Sequence, residues 1–155
     1  MDQAETFKKE REEKFGGEIR YLSYARYIGK AGGEKVENRG GILFVIGDTI
    51  HFEDFENRNA LLSLLGQKKD YAKAEFSLEL GEITLARDVR ERGANDCIAA
   101  RISEESVPHG PSGLAALFMK PVLQLIREDS PSLFFDLLDK KGFLNFLNEY
   151  VSRSE

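Results

Sequence analysis

The sequence predicts a mainly β protein: a seven-stranded barrel or sandwich with a C-terminal capping α-helix and a short N-terminal helix. Three observations carry that expectation. Gly40 to Glu56 reads "GGILFVIGDTIHFEDFE", two apolar runs around a Gly-Asp pair, which is a tight-hairpin signal. Lys73 to Leu80, "KAEFSLEL", alternates strictly, with Ala74, Phe76, Leu78 and Leu80 on one face and Lys73, Glu75, Ser77 and Glu79 on the other. Near the C-terminus Phe143, Leu144, Phe146, Leu147, Tyr150 and Val151 recur at helical spacing, so that a helix there must bury an apolar stripe against the end of a sheet.

The remaining elements follow in chain order. Asp2 to Phe15 reads as a short surface helix whose only large apolar side chains are Phe7 and Phe15, stopped by Gly16-Gly17. "EIRYLSYARYI", Glu18 to Ile28, is the first strand, and Gly29 to Gly41 is a glycine-rich loop. Within the hairpin, Ile42–Ile46 and Ile50–Phe55 pair across Gly47-Asp48-Thr49. In its second arm Ile50 and Phe52 face one way, while His51 and Glu53 face the other, as polar surface residues. A short helix is expected over Asn57 to Leu65. Gly81 marks a bend or bulge, after which "EITLARDV" continues as strand and turns at Gly93 to Asp96 into another strand, "CIAARI". The loop "SEESVPHGPSG" precedes "LAALFM", "PVLQLIRED" and "SLFFDLLD", read as strands, with Asp139 positioned to cap the final helix. Residues 1–17 form a helical arm and residues 18–155 a single domain.

Composition narrows the function classes. At 155 residues, 41% hydrophobic and 32% charged, the chain has the make-up of an ordinary globular domain. No apolar run approaches the ~20 residues of a membrane helix, and the charged N-terminus lacks the pattern of a secretory signal. A single cysteine, Cys97, suits a reducing compartment, so a cytoplasmic location is expected. The net charge of −5 argues against nucleic acid as a partner.

Three stretches together resemble the pleckstrin-homology-like (PH-like) superfamily, and within it the GRAM and bacterial PH-type domains. "GILFVIGDTIHFED" is similar to the family's second–third strand hairpin. "AEFSLELGEITLARDV" is similar to the next strand, and "PVLQLIREDSPSLFFDLLDKKGFLNFLNEYV" to the last hairpin running into the closing helix. The longer "NRNALLSLLGQKK" and Ser103 to Met119 regions depart from a minimal domain, and no tryptophan stands in the closing helix. Because the family hosts lipid readers, peptide readers and scaffolds, the resemblance implies a fold far more than an activity.

The expected role is a noncatalytic binding or scaffolding module for a protein or peptide partner. Candidate contact residues are Tyr21, Tyr24 and Tyr27 on an exposed first strand and Leu114 and Leu117 in the apolar "GLAALFM". The alternative is a peripheral membrane module that holds anionic lipid headgroups with Lys30, Lys35 and Arg39, where glycine-rich backbone amides and cations would surround a phosphate. Glu34 and Glu37 interrupt that basic cluster. Catalysis is not expected: His51, His109 and Cys97 are scattered, and neither a nucleophile–base pair nor a metal-ligand spacing is evident. No cofactor is implied.

Overall fold

The computed structural model describes residues 2–55, 75–110, 114 and 119–154. The expected helix from Asn57 to Leu65, the residues Lys73 and Ala74, and Leu117 lie outside the described residues, as does most of the "LAALFM" strand.

Helix α1 (Gln3–Phe15) starts where Asp2 Oδ1 accepts a hydrogen bond from the Glu5 N–H at 2.9 Å, filling one of the orphan donors of the first turn. It ends at Gly16, which takes the left-handed conformation (φ 73°) and returns its N–H to the Glu12 carbonyl. Seven strands follow: β1 (Ile19–Lys30), β2 (Arg39–Ile46), β3 (Thr49–Asp54), β4 (Glu75–Glu79), β5 (Ile83–Arg90), β6 (Pro121–Arg127) and β7 (Leu133–Leu137). Between β5 and β6 lies α2 (Glu91–Ile98), and α3 (Lys140–Ser154) closes the chain. Every pairing is antiparallel, in the order β4-β3-β2-β1-β7-β6-β5, and the single sheet curls into a half-barrel.

The mainly β architecture, with helices at both ends of the chain, is therefore as the sequence predicts. Gly81 sits in a single 3₁₀ turn, Leu80–Glu82, through which the chain passes from one edge strand, β4, to the other, β5. One element is different in kind. Glu91 to Ile98 is a helix, so "CIAARI" is not a strand and Cys97 is a helical residue. Gly93, Ala94, Cys97 and Ile98 all point inward at helical spacing, and their burial against β5 and β6 decides the conformation.

The half-barrel has two apolar layers. Its concave side is filled by alternate residues of all the strands, among them Leu43, Val45, Ile50, Leu123 and Leu125, and by Phe143 and Leu147 from α3. At its centre the rings of Tyr27, Phe52, Phe76 and Phe135 meet with centroids 4.9–6.1 Å apart, an arrangement of tilted and edge contacts worth ~0.5–1.5 kcal/mol per pair beyond burial. On the convex side α2 covers Ile28, Val89, Val122 and Phe134, making a second buried cluster. Helix α1 crosses the other half of that convex side. Its Phe7 ring meets Phe44 edge-on at 5.6 Å, and its Phe15 ring stacks on His51 at 4.0 Å.

Candidate binding site

The aromatic residues of the first strand divide between the two faces. Strand alternation sends Tyr21 and Tyr27 to the concave side and Tyr24 to the convex side. Tyr27 is a core residue, 5% exposed, which corrects the expectation that it contacts a partner. Nor is β1 an exposed edge: it is the central strand, paired with β2 on one side and β7 on the other. Tyr21 is half-buried against Phe143, and its hydroxyl donates to the Asp139 carbonyl at 2.6 Å. Burial is the main reason its phenol is raised to about 12. Tyr24 remains open, 58% exposed, with Phe55 beside it and Leu138 and Leu22 also exposed nearby. Leu114 is exposed.

The basic loop is more constrained than its glycine content suggests. Gly32 N–H donates to the Cys97 carbonyl and Glu34 N–H to the Ile98 carbonyl, which stitches the loop onto the C-terminal end of α2. Ala31 N–H goes to Ser132 and Gly33 N–H to Lys30, so four amides that a phosphate would need are already engaged. The Arg39 guanidinium is 3.4 Å from both Glu37 and the buried Asp54 carboxylate. Lys30 and Lys35 are exposed.

The site that the fold itself creates lies elsewhere. β5 is an edge strand, and α3 runs alongside it, leaving a groove of about 350 Å³ lined by Ile83, Leu85, Ala86, Leu144, Leu147 and Val151. Leu85 and Val151 both border it and are still 52% and 54% exposed. At one end of β5 the segment Pro108–Gly110 already behaves as an added strand: Val89 bridges His109, Gly110 N–H donates to the Asp88 carbonyl, and Arg90 N–H to the Pro108 carbonyl. Those bonds show which way the outer backbone groups of β5 point. Alternation gives Ala86 the same outward direction as Asp88 and Arg90. Among the described residues no hydrogen bond takes up the outward groups of Ala86. Lys140 and Asp88, 2.9 Å apart, tie the start of α3 to β5.

Reading the sequence missed this groove, although one signal for it was present. The stripe on α3 is six residues wide, more than one buried interface uses. Phe143 and Leu147 take the barrel side, and the flank with Leu144 and Val151 faces the groove.

Two polar clusters stand on the convex side. Under α1, His51 is not a surface residue as its strand position suggested. It is buried under the Phe15 ring and beside the Phe44 ring, with Nδ1 2.7 Å from Ser77 Oγ. Burial pushes the imidazole below its ordinary value. Glu53 is likewise buried, held by both Arg11 Nε (2.6 Å) and Arg11 Nη2 (2.9 Å). In the middle of the sheet Arg26 joins Glu91, Asp136 and Asn38, and Lys120 reaches Asp136 at 3.0 Å. Cys97 is buried in α2, its thiol pushed up by burial, and His109 is on the loop beside β5. Among the described residues no group of three or more His, Cys, Asp or Glu side chains could hold a metal ion, and no helix is long and apolar enough to cross a membrane.

No family model matches the chain, and no curated protein matches it. Among solved structures it is similar to the C-terminal domain of an unknown protein from Leishmania infantum, at 14% identity over 94% of each chain and with a TM-score of 0.48.

Proposed function

We propose that this protein is a noncatalytic binding module of PH-like fold that captures an extended segment of a protein or peptide partner in the groove between β5 and α3. The strand order, with one helix closing the half-barrel, supports the PH-like reading. The observation that carries the binding role is the open stretch of β5 beside two exposed apolar side chains, Leu85 and Val151. An incoming strand would pair with the outward backbone groups of Ala86, as Pro108–Gly110 already does further along. Its alternate apolar side chains would lie against the groove lining of Ile83, Ala86, Leu144 and Val151. A cytoplasmic setting belongs to the same reading. The alternative, an anionic headgroup held by Lys30, Lys35 and Arg39, has less support, because Arg39 is paired with carboxylates and the loop amides are engaged.

The test is selection from a random-peptide library followed by chemical-shift mapping. Alternating apolar peptides are expected to perturb β5 and α3, and to lose binding in Ala86→Pro, which removes an outward N–H that an edge strand can spare. Leu85→Asp should act the same way. Peptides that map to the Tyr24 face, or that bind Ala86→Pro undiminished, would sink this reading. Vesicle binding lost in Lys30→Glu/Lys35→Glu would install the alternative.

A further inference from the structure

Helix α1 is attached in a way that no other element is. None of its side chains is buried, and 9 of its 13 residues, Gln3 to Phe15, are charged or amide-bearing, apart from Ala4, Thr6, Phe7 and Phe15. Besides the Glu12 carboxylate, which accepts a hydrogen bond from the Ile19 N–H at 3.0 Å, α1 meets the convex face once per turn: Phe7 on Phe44, Arg11 on Glu53, and Phe15 on His51 and Phe44. An element with so little buried surface sits at the low end of local stability and opens without global unfolding. Gly16, already in the left-handed region and with open space where a Cβ would be, is a suitable pivot.

The third contact is the one that senses its surroundings. The His51 ring is covered by Phe15 at 4.0 Å and flanked by its cross-strand neighbour Phe44 at 5.1 Å, tilted 27° and 25° from them. With α1 docked, little water reaches that ring. The charged groups around it come from three elements: Lys14 and Arg11 from α1, Glu53 from β3, and Glu75 and Glu79 from β4. β2 contributes only Phe44. Glu53 and Glu79 favour an imidazolium and Lys14 opposes it, but Arg11 occupies both oxygens of Glu53, so that carboxylate is already compensated. Ser77 Oγ meets Nδ1 and can serve a neutral ring either as donor or as acceptor.

We propose that α1 is a pH-released strap: it lies across β2, β3 and β4 while His51 is neutral and lets go when His51 takes up a proton. Release uncovers a band of the convex face that contains Phe44, His51 and Glu53 and frees the Phe7 and Phe15 rings. The sign follows from linkage. Docking lowers the affinity of His51 for a proton, chiefly by burial. The stabilisation of the docked form is therefore complete above the ordinary imidazole value and is lost as pH falls from there through the depressed one. The strap is independent of what the β5 groove binds.

Hydrogen exchange on the whole chain tests it, with protection compared between about pH 7.5 and about pH 5, bracketing the ordinary histidine value, after correction for intrinsic rates. Amides of the second half of α1 are expected to lose protection at the lower pH while those of β1 and β7 keep theirs. In His51→Phe, α1 should remain protected at both. Unchanged α1 protection in the wild type, or an equal loss in His51→Phe, overturns the proposal. Should His51→Phe not fold, Phe15→Ala provides the second readout: the His51 ring titration, followed by NMR, must move up towards the ordinary value. No movement overturns the proposal as well.

Discussion

The two helices on the convex face of the sheet cover it by opposite means. α2 is only eight residues long, yet it buries Gly93, Ala94, Cys97 and Ile98 in an apolar cluster with Val89, Val122 and Phe134. α1 is thirteen residues long and buries none. One is a piece of the core that happens to be helical. The other is a strap fastened by the rings of Phe7 and Phe15, a bidentate ion pair and the hydrogen bond from Ile19 N–H to Glu12. Length says nothing about how firmly a helix is held; the apolar area it removes from water does.

The largest effect that would sharpen this contrast is expected at Ile98. It is wholly buried, and Ile98→Ala should cost ~2–5 kcal/mol of global stability, read as a lowered urea midpoint with β-sheet amides losing protection together. Next comes Arg11→Gln, which leaves the buried Glu53 carboxylate without its bidentate partner. It should weaken α1 docking by ~1–3 kcal/mol, visible as exchange in α1, while the urea midpoint moves much less. If instead Arg11→Gln lowers the midpoint as far as Ile98→Ala, α1 is core and the comparison fails. The smallest effect belongs to Asp2→Ala. Loss of the cap should cost ~1 kcal/mol, confined to the first turn of α1 and detectable as faster exchange there with no change in midpoint.

The same contrast explains what the sequence revealed. α1 was legible because its end is written in local chemistry, a Gly-Gly stop after a charged run, which needs no tertiary partner. The hairpin β2–β3 and strand β4 were legible for the same reason: a Gly-Asp turn and a period of two are local signals. α2 was not, since "ERGANDCI" has a glycine and a Cys-Ile pair that suit a strand end equally well. Only the four inward positions, spaced one and four apart, distinguish it, and they matter because β5 and β6 are there to receive them.

The candidate site divided along similar lines. The three tyrosines of β1 are spaced by three, and in a strand that spacing alternates faces, so a group of three contacts was never available: Tyr27 belongs to the core and Tyr24 alone stands open. His51 and Glu53 lie on the polar side of β3 as alternation requires. They are buried nonetheless, because a segment some forty residues earlier in the chain lies over them. The groove depends on which strand ends up at the edge of the sheet. That is a property of topology, and β5 carries no mark of it in its own eight residues.

The loop "GKAGGEKVENRGG" carries one more consequence. Its composition advertises a place to graft a tag or to expect a protease to cut. Yet its backbone amides at Gly32 and Glu34 close the carbonyl end of α2, and Glu37 N–H returns to the Ile28 carbonyl. Opening it would unpick the lid of the second apolar cluster, so this glycine-rich stretch should resist nicking and reject insertions. Protein engineers seeking a permissive position would do better at Gly47-Asp48, an exposed two-residue turn whose Gly47 has open space where a side chain would stand.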